Sequence, residues 1–186
     1  MKKEKEKARN ERKEEEEEEE EEERAARRRR RCSENVQYAG VQESPEEYLK
    51  VHNDERASVR VPPLKWDEKL AKKAQKYLNT TIQHCFEGKF HPTPDPYYGQ
   101  NVAWHMASDH FTGAKAVAGW VAEKKYYDHK SNSCIGGDCE CYIQVVWRDT
   151  THVGCARVKC DKCQKRCTLV ACLYSPEGNY PGVRPY

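Results

Sequence analysis

No stretch of this chain approaches the roughly 18 consecutive apolar residues that cross a bilayer, so no transmembrane segment is expected. The first residues also lack the short apolar run and small-residue cleavage site of a secretory signal. Between residues 1 and 31 the only apolar side chains are Met1 and alanines. Such a segment buries too little surface to offset chain entropy, which predicts disorder or at most a solvated, transient helix. There is no internal repeat, and charge of one sign is not in excess: from Cys32 to Tyr186, 20 Lys or Arg stand against 18 Asp or Glu. That balance gives no reason to expect a nucleic acid or other polyanion as partner of the folded part.

What is present divides the chain in three: a charged low-complexity segment over 1–31, a linker over 32–40 and a folded domain over 41–186. The first holds 13 Lys or Arg and 13 Asp or Glu, including ten consecutive glutamates (Glu14 to Glu23) and five consecutive arginines (Arg27 to Arg31). Its arginine run alone is basic enough to attract an intracellular or nuclear partner. All ten cysteines lie after it. That density fits an oxidised, extracellular protein, and extracellular is the location expected despite the missing signal.

Ser44-Pro45-Glu46-Glu47 combines a cap, a first-turn proline and a capping-box glutamate, so a helix is expected from there to about Arg60, stopped by Pro62-Pro63. Leu49, His52, Asn53 and Arg56 share one face of it, which points His52 inward. Asp67 caps a second helix with the stripe Leu70, Ala71, Ala74, Tyr77 and Leu78, and with lysines outside. Asn79-Thr80-Thr81 near its end is a glycosylation sequon. A third helix is expected from about Thr112 to Tyr127, with Ala116, Trp120, Glu123 and Tyr127 on one face. Three β-like runs follow, Tyr142 to Trp147, Val153 to Lys159 and Thr168 to Tyr174, the last two forming an antiparallel hairpin. Helices first and an antiparallel sheet afterwards indicate an α+β domain. In an extended Gly137 to Trp147 run, Cys139 and Cys141 would face one way and could not readily bond each other.

Five ordered motifs carry a family resemblance. They are Tyr48-Leu49 with His52-Asn53 and Arg56; Leu64-Lys65-Trp66-Asp67; Gly99-Gln100-Asn101-Val102; Trp120-Val121-Ala122-Glu123; and Tyr142-Ile143-Gln144-Val145-Val146-Trp147. Over residues 41 to 186 the chain resembles the plant pathogenesis-related class 1 proteins of the CAP superfamily. The resemblance implies a disulfide-rich three-layer α-β-α sandwich with a central antiparallel sheet. It also implies the pairings Cys85 with Cys160, Cys134 with Cys139, and Cys155 with Cys172. Cys32, Cys141, Cys163 and Cys167 are left over. For the last two, a local bridge across the hairpin loop competes with a metal cluster shared with Cys160.

Members of the family have a cleft lined by two histidines and two acids, which in some holds a divalent metal. The matching positions here are His52, Gln100, Glu123 and Cys141, so half of the tetrad is changed. No metal and no cofactor is expected, because His52 and Cys141 supply only two firm ligands where zinc needs three or four. A Cys141-His52 pair would also suit a thiol hydrolase, against which stands a non-enzymatic reading: His52 buried against Glu123, tying the first helix to the third. The resemblance further implies binding of sterols or small lipids at the loop containing Tyr126 and Tyr127. It implies release of a signalling peptide by a processing protease acting between Ser175 and Pro176, from a tail whose Pro and Gly content predicts exposure. A monomer is expected.

Overall fold

The computed structural model describes residues 39–40, 43–81, 97–106, 110–162 and 165–186, with the side chains of 39–40, 106, 160–162, 165 and 166 left aside. The charged segment 1–31, Cys32, Cys85 and Cys163 lie outside these residues, and with them the expected Cys85 to Cys160 and Cys163 to Cys167 pairings.

Helix α1 (Pro45–Ser58) starts where the capping signal places it, with the Glu47 carboxylate accepting the Ser44 N–H at 3.2 Å. Helix α2 (Glu68–Thr81) begins at Asp67, whose Oδ1 accepts the N–H groups of Lys69 and Leu70 at 2.6 and 3.1 Å. Two of a helix's four orphan donors are satisfied this way. Helix α3 (Gly113–Ala122) is capped by the Thr112 hydroxyl, which accepts from the Lys115 N–H. It ends earlier than its periodicity predicts. Glu123–Tyr126 tightens into a 3-10 turn, and Tyr127 opens a small hairpin of β4 (Tyr127–Asp128) and β5 (Ser133–Cys134).

The main sheet runs in the order β1 (Ala39–Gly40), β6 (His152–Lys162), β7 (Lys165–Ser175), β3 (Gly99–Met106), and β2 (Lys65–Trp66) also joins β6. Strands β1 and β3 lie antiparallel to their neighbours, while the two-residue β2 is parallel to β6. The β6–β7 hairpin is longer than expected and takes in much of the stretch read as a polar loop. Strand β1 falls inside the segment read as a linker. Strand β3 carries the Gly-Gln-Asn motif, but its strand character was missed.

Side-chain alternation along β7 builds the three layers. Val170, Cys172 and Tyr174 face a core shared with α1 and α3, whereas Leu169, Ala171 and Leu173 face the Leu70, Ala74, Tyr77 and Leu78 stripe of α2. Disulfides Cys155–Cys172 and Cys134–Cys139 are formed. The first staples β6 to β7 under the α1 face.

One expectation fails. The run Tyr142 to Trp147 is not a strand: Glu140–Val145 is a short helix, α4, with Cys139 at its N-cap. Its valines, isoleucine and aromatics favour strand on intrinsic preference, and tertiary contacts override that preference. Cys139 and Cys141 therefore part because a helix turns them apart, not because an extended chain forbids their bond. Cys139 is fully buried in its bridge to Cys134, and Cys141 is half-buried and reduced.

Candidate functional site

The residues around α4 form one connected polar network. At its N-terminus Glu123 Oε2 accepts the Cys141 and Tyr142 N–H groups at 3.0 and 3.2 Å. At its other end the wholly buried Arg56 donates Nη1–H to the carbonyls of Val145 and Trp147 at 3.0 and 2.9 Å. Arg56 also reaches Thr150 O from Nη2 and Pro62 O from Nε. A carboxylate at the start and a guanidinium at the finish complement both the helix dipole and its orphan backbone groups. Burial lowers the Arg56 pKa to about 10, still well above neutrality.

The His-Asn-x-x-Arg motif of α1 divides its labour. Asn53 clamps Leu64 at both backbone atoms, donating Nδ2–H to its carbonyl and accepting its N–H at Oδ1. His52 is fully buried, with Nδ1 at 2.8 Å from Tyr48 O and Nε2 at 2.9 Å from the Tyr174 hydroxyl. A carbonyl only accepts, so Nδ1 carries the proton and Nε2 accepts from Tyr174. Burial, reinforced by the Arg56 charge, lowers the His52 pKa to about 4. Asn101 of β3 completes the chain by donating Nδ2–H to Cys141 O at 3.0 Å and to the Tyr174 hydroxyl at 3.3 Å.

These bonds revise the expected tetrad. His52 ties α1 to β7 through Tyr174; the expected contact with Glu123 is replaced because Glu123 is committed to α4. Gln100 pairs in register with Leu173 on the α2 face of the sheet and lies beside the Tyr77 phenol. Strand alternation thus separates it from His52 and Asn101. Cys141 does reach Glu123, and burial together with that carboxylate pushes its thiol up to about 12. The Glu123 pKa is itself raised, chiefly by burial. The four positions do not fit a metal: Gln100 is turned to the other face of the sheet, His52 Nε2 is occupied by the Tyr174 hydroxyl, and Glu123 Oε2 is taken by two backbone N–H groups. Among the described residues no cluster of three or more His, Cys, Asp or Glu is placed to hold one.

Asn101 and Tyr174 are the members that reading the sequence did not single out. The Asn of Gly-Gln-Asn was a usable signal, since alternation in a strand sends it to the opposite face from Gln100.

The loop over 126–134 holds two different tyrosines. Tyr126 lies flat against the backbone at Gly137, where a Cβ would sit 2.9 Å from its ring. Tyr127 turns instead into an aromatic cluster, with centroids 5.9 Å from Tyr142 and 6.0 Å from Tyr186. His129 stacks on Tyr186 at 5.1 Å.

Residues 176–186 are mostly exposed, as their composition predicts, with Pro185 buried, but the segment is docked on the domain at both ends. Gln144 holds the start of the segment, accepting the Gly178 N–H at 2.9 Å, while Thr150 donates to Pro176 O at 2.9 Å. Arg148 N–H donates to Pro185 O at 2.8 Å, Arg184 donates to the carbonyls of His129 and Lys130, and Pro185 is buried. Aromatic packing and arginine anchors overcome the low local propensity. Gly178 is required here, because a Cβ would meet the Trp147 ring at 2.7 Å. Asn79 is exposed in the last turn of α2, with Oδ1 accepting from Gln75 at 2.9 Å.

Residues 49–174 match the family model described as CAP, the cysteine-rich secretory protein family. The chain belongs to the CAP family. It is 45% identical over 146 residues to pathogenesis-related protein 1A of Nicotiana tabacum, covering 78% of this chain and 82% of that one. It is 41% identical over 152 residues to the pathogenesis-related protein PR-1 type of Sambucus nigra, covering 81% and 87%. Among solved structures, Schistosoma mansoni venom allergen-like protein 4 superposes with a TM-score of 0.57 at 28% identity, over 78% of this chain and 95% of that one. BmVAL-1 shares the fold with a TM-score of 0.61 at 19% identity, over 81% and 86%. No helix among the described residues is long and apolar enough to cross a membrane.

Proposed function

We propose that this CAP protein is an extracellular, monomeric defence protein that works by binding rather than catalysis, taking sterols or similar small lipids on the aromatic surface beside the 126–134 loop. The observation that carries this reading is the half-buried pair Tyr127 and Tyr186, packed over the buried Tyr142 beside a loop whose end is held by the Cys134–Cys139 bridge. Large, rigid aromatic faces suit a flat apolar ligand, and their hydroxyls suit its single polar group. Relatives named pathogenesis-related proteins support the defence role. The thiol that keeps its proton and the histidine committed to Tyr174 support a non-enzymatic mode.

Release of residues 176–186 as a peptide belongs to the same proposal as a second output. It requires undocking from Gln144 and Arg148 as well as cleavage between Ser175 and Pro176.

The test is equilibrium binding of a fluorescent sterol to the wild-type chain and to Tyr126→Ala/Tyr127→Ala, with thermal unfolding as a control for folding. Binding that falls at least about tenfold in a folded variant supports the site; two aromatic contacts at about 1 kcal/mol each correspond to that factor or more. Equal binding, or none by either chain, overturns it.

A further inference from the structure

The aromatic face beside the 126–134 loop is assembled from two distant stretches of chain. Tyr127 is fixed within the loop itself: β4 pairs it with Cys134, and its hydroxyl donates to Asn132 Oδ1 at 2.8 Å. Tyr186 arrives instead from the docked segment 176–186. Its ring meets that of Tyr127 at 65°, His129 stacks on it at 25°, and its hydroxyl lies 3.2 Å from that of Tyr142. Tyr127 and Tyr186 are half-buried, whereas Tyr142 beneath them is fully buried. A ligand on this face therefore meets Tyr127 and Tyr186, and the second ring is present only while its segment is docked.

The segment is held unevenly. Its start is tied to interior groups, since the buried Gln144 accepts the Gly178 N–H and the buried Thr150 donates to Pro176 O. Its far part is tied to exposed ones. Arg184 donates to the carbonyls of His129 and Lys130, and the Arg148 N–H donates to Pro185 O at 2.8 Å, with His129, Lys130, Arg148 and Arg184 all exposed. Hydrogen bonds made by solvent-exposed groups resist local opening least. Residues 183–186 are therefore where the segment lifts first, and Tyr186 leaves the face with them.

We propose that residues 183–186 complete the lipid face, so that lipid binding and undocking of the segment oppose each other. The inference rests on the lipid reading given above and adds its regulation. A ligand that touches Tyr186 only in the docked state binds that state more tightly, and by the same factor it lowers the open population. One aromatic contact corresponds to about fivefold in affinity. Bound lipid thus holds the segment down and delays the undocking that release of residues 176–186 requires. Once the segment lifts, the face keeps Tyr127 alone and holds lipid less well.

The test combines hydrogen exchange with binding of the fluorescent sterol, both on the full chain. Saturating sterol is expected to slow exchange of the Arg148 N–H, which reads the bond to Pro185, about fivefold. Tyr186→Ala should bind the sterol about fivefold more weakly, the same factor, and Tyr186→Phe, which keeps the ring, should bind as wild type does. The exchange measurement needs only the wild-type chain, so it decides the matter even where a variant folds poorly. Sterol that binds but leaves Arg148 exchange unchanged, or speeds it by competing with the segment, overturns the coupling and leaves the lipid reading standing. So does a folded Tyr186→Ala chain that binds as tightly as wild type. Absence of sterol binding by the wild-type chain overturns the lipid reading and the coupling with it.

Discussion

Glu123 and Arg56 hold opposite ends of one six-residue helix: the carboxylate takes two N–H groups at its start, and the guanidinium takes two carbonyls at its finish. A helix this short does not persist on its own. Its existence depends on these two side chains, which arrive from α1 and from the end of α3.

Removing either end should therefore cost more than a surface change. Arg56→Met is expected to destabilise by about 3 kcal/mol or more, because it removes four carbonyl contacts, three of them buried. Glu123→Gln keeps one acceptor and should cost about 1 kcal/mol. Urea unfolding curves read both, and an Arg56→Met chain as stable as wild type would refute the capping role.

His52 sets an acid limit on stability. Its folded pKa, about 4, lies below the ordinary 6.5. The unfolded chain therefore binds the extra proton first as pH falls. Stability from this group is complete above about pH 6.5 and is lost as pH drops toward 4, by about 3 kcal/mol in total. His52→Gln should flatten that part of the stability profile. A profile unchanged by the substitution counts against the buried neutral imidazole.

Cys141 should be inert. With its thiol pushed up to about 12 by burial and by Glu123, almost no thiolate exists at pH 8. Iodoacetamide labelling followed by peptide mapping should leave Cys141 unmodified in the folded chain and modify it after denaturation. Glu123→Gln should speed the reaction. Rapid labelling of the native protein would restore the thiol-hydrolase reading that the geometry disfavours.

Docking of residues 176–186 should protect the Ser175-Pro176 region from proteases. Cutting there needs local opening, whose free energy the Gln144 and Arg184 contacts raise. Gln144→Ala and Arg184→Ala should each accelerate cleavage about tenfold in limited proteolysis, a factor equivalent to about 1.4 kcal/mol. Cleavage at the wild-type rate in both would mean the segment opens without breaking these bonds.

Several of these relationships were legible in the residues. The starts of α1 and α2 were written in Ser44-Pro45 and Asp67, and the α2 stripe fixed which side of that helix is buried. The β6–β7 hairpin followed from its two Val-rich runs. The missed strand β3 carries a histidine and polar residues that weaken its alternation, and it becomes a strand because β7 offers eight register partners. The misread α4 carries strand-forming residues made helical by groups distant in sequence.

By itself, then, the sequence determined the family, the α+β layering, the inward turn of His52 and the pairing of Cys139 with Cys134 through its resemblance. Local propensity, side-chain periodicity and motif spacing act over a few residues, and those features need nothing more. Only the tertiary structure decided that residues 140–145 coil, that Gln100 faces away from His52, that Tyr174 claims the imidazole and that residues 176–186 lie docked. Each of those outcomes turns on hydrogen bonds between residues tens of positions apart, whose desolvation and geometry outweigh what any short stretch prefers.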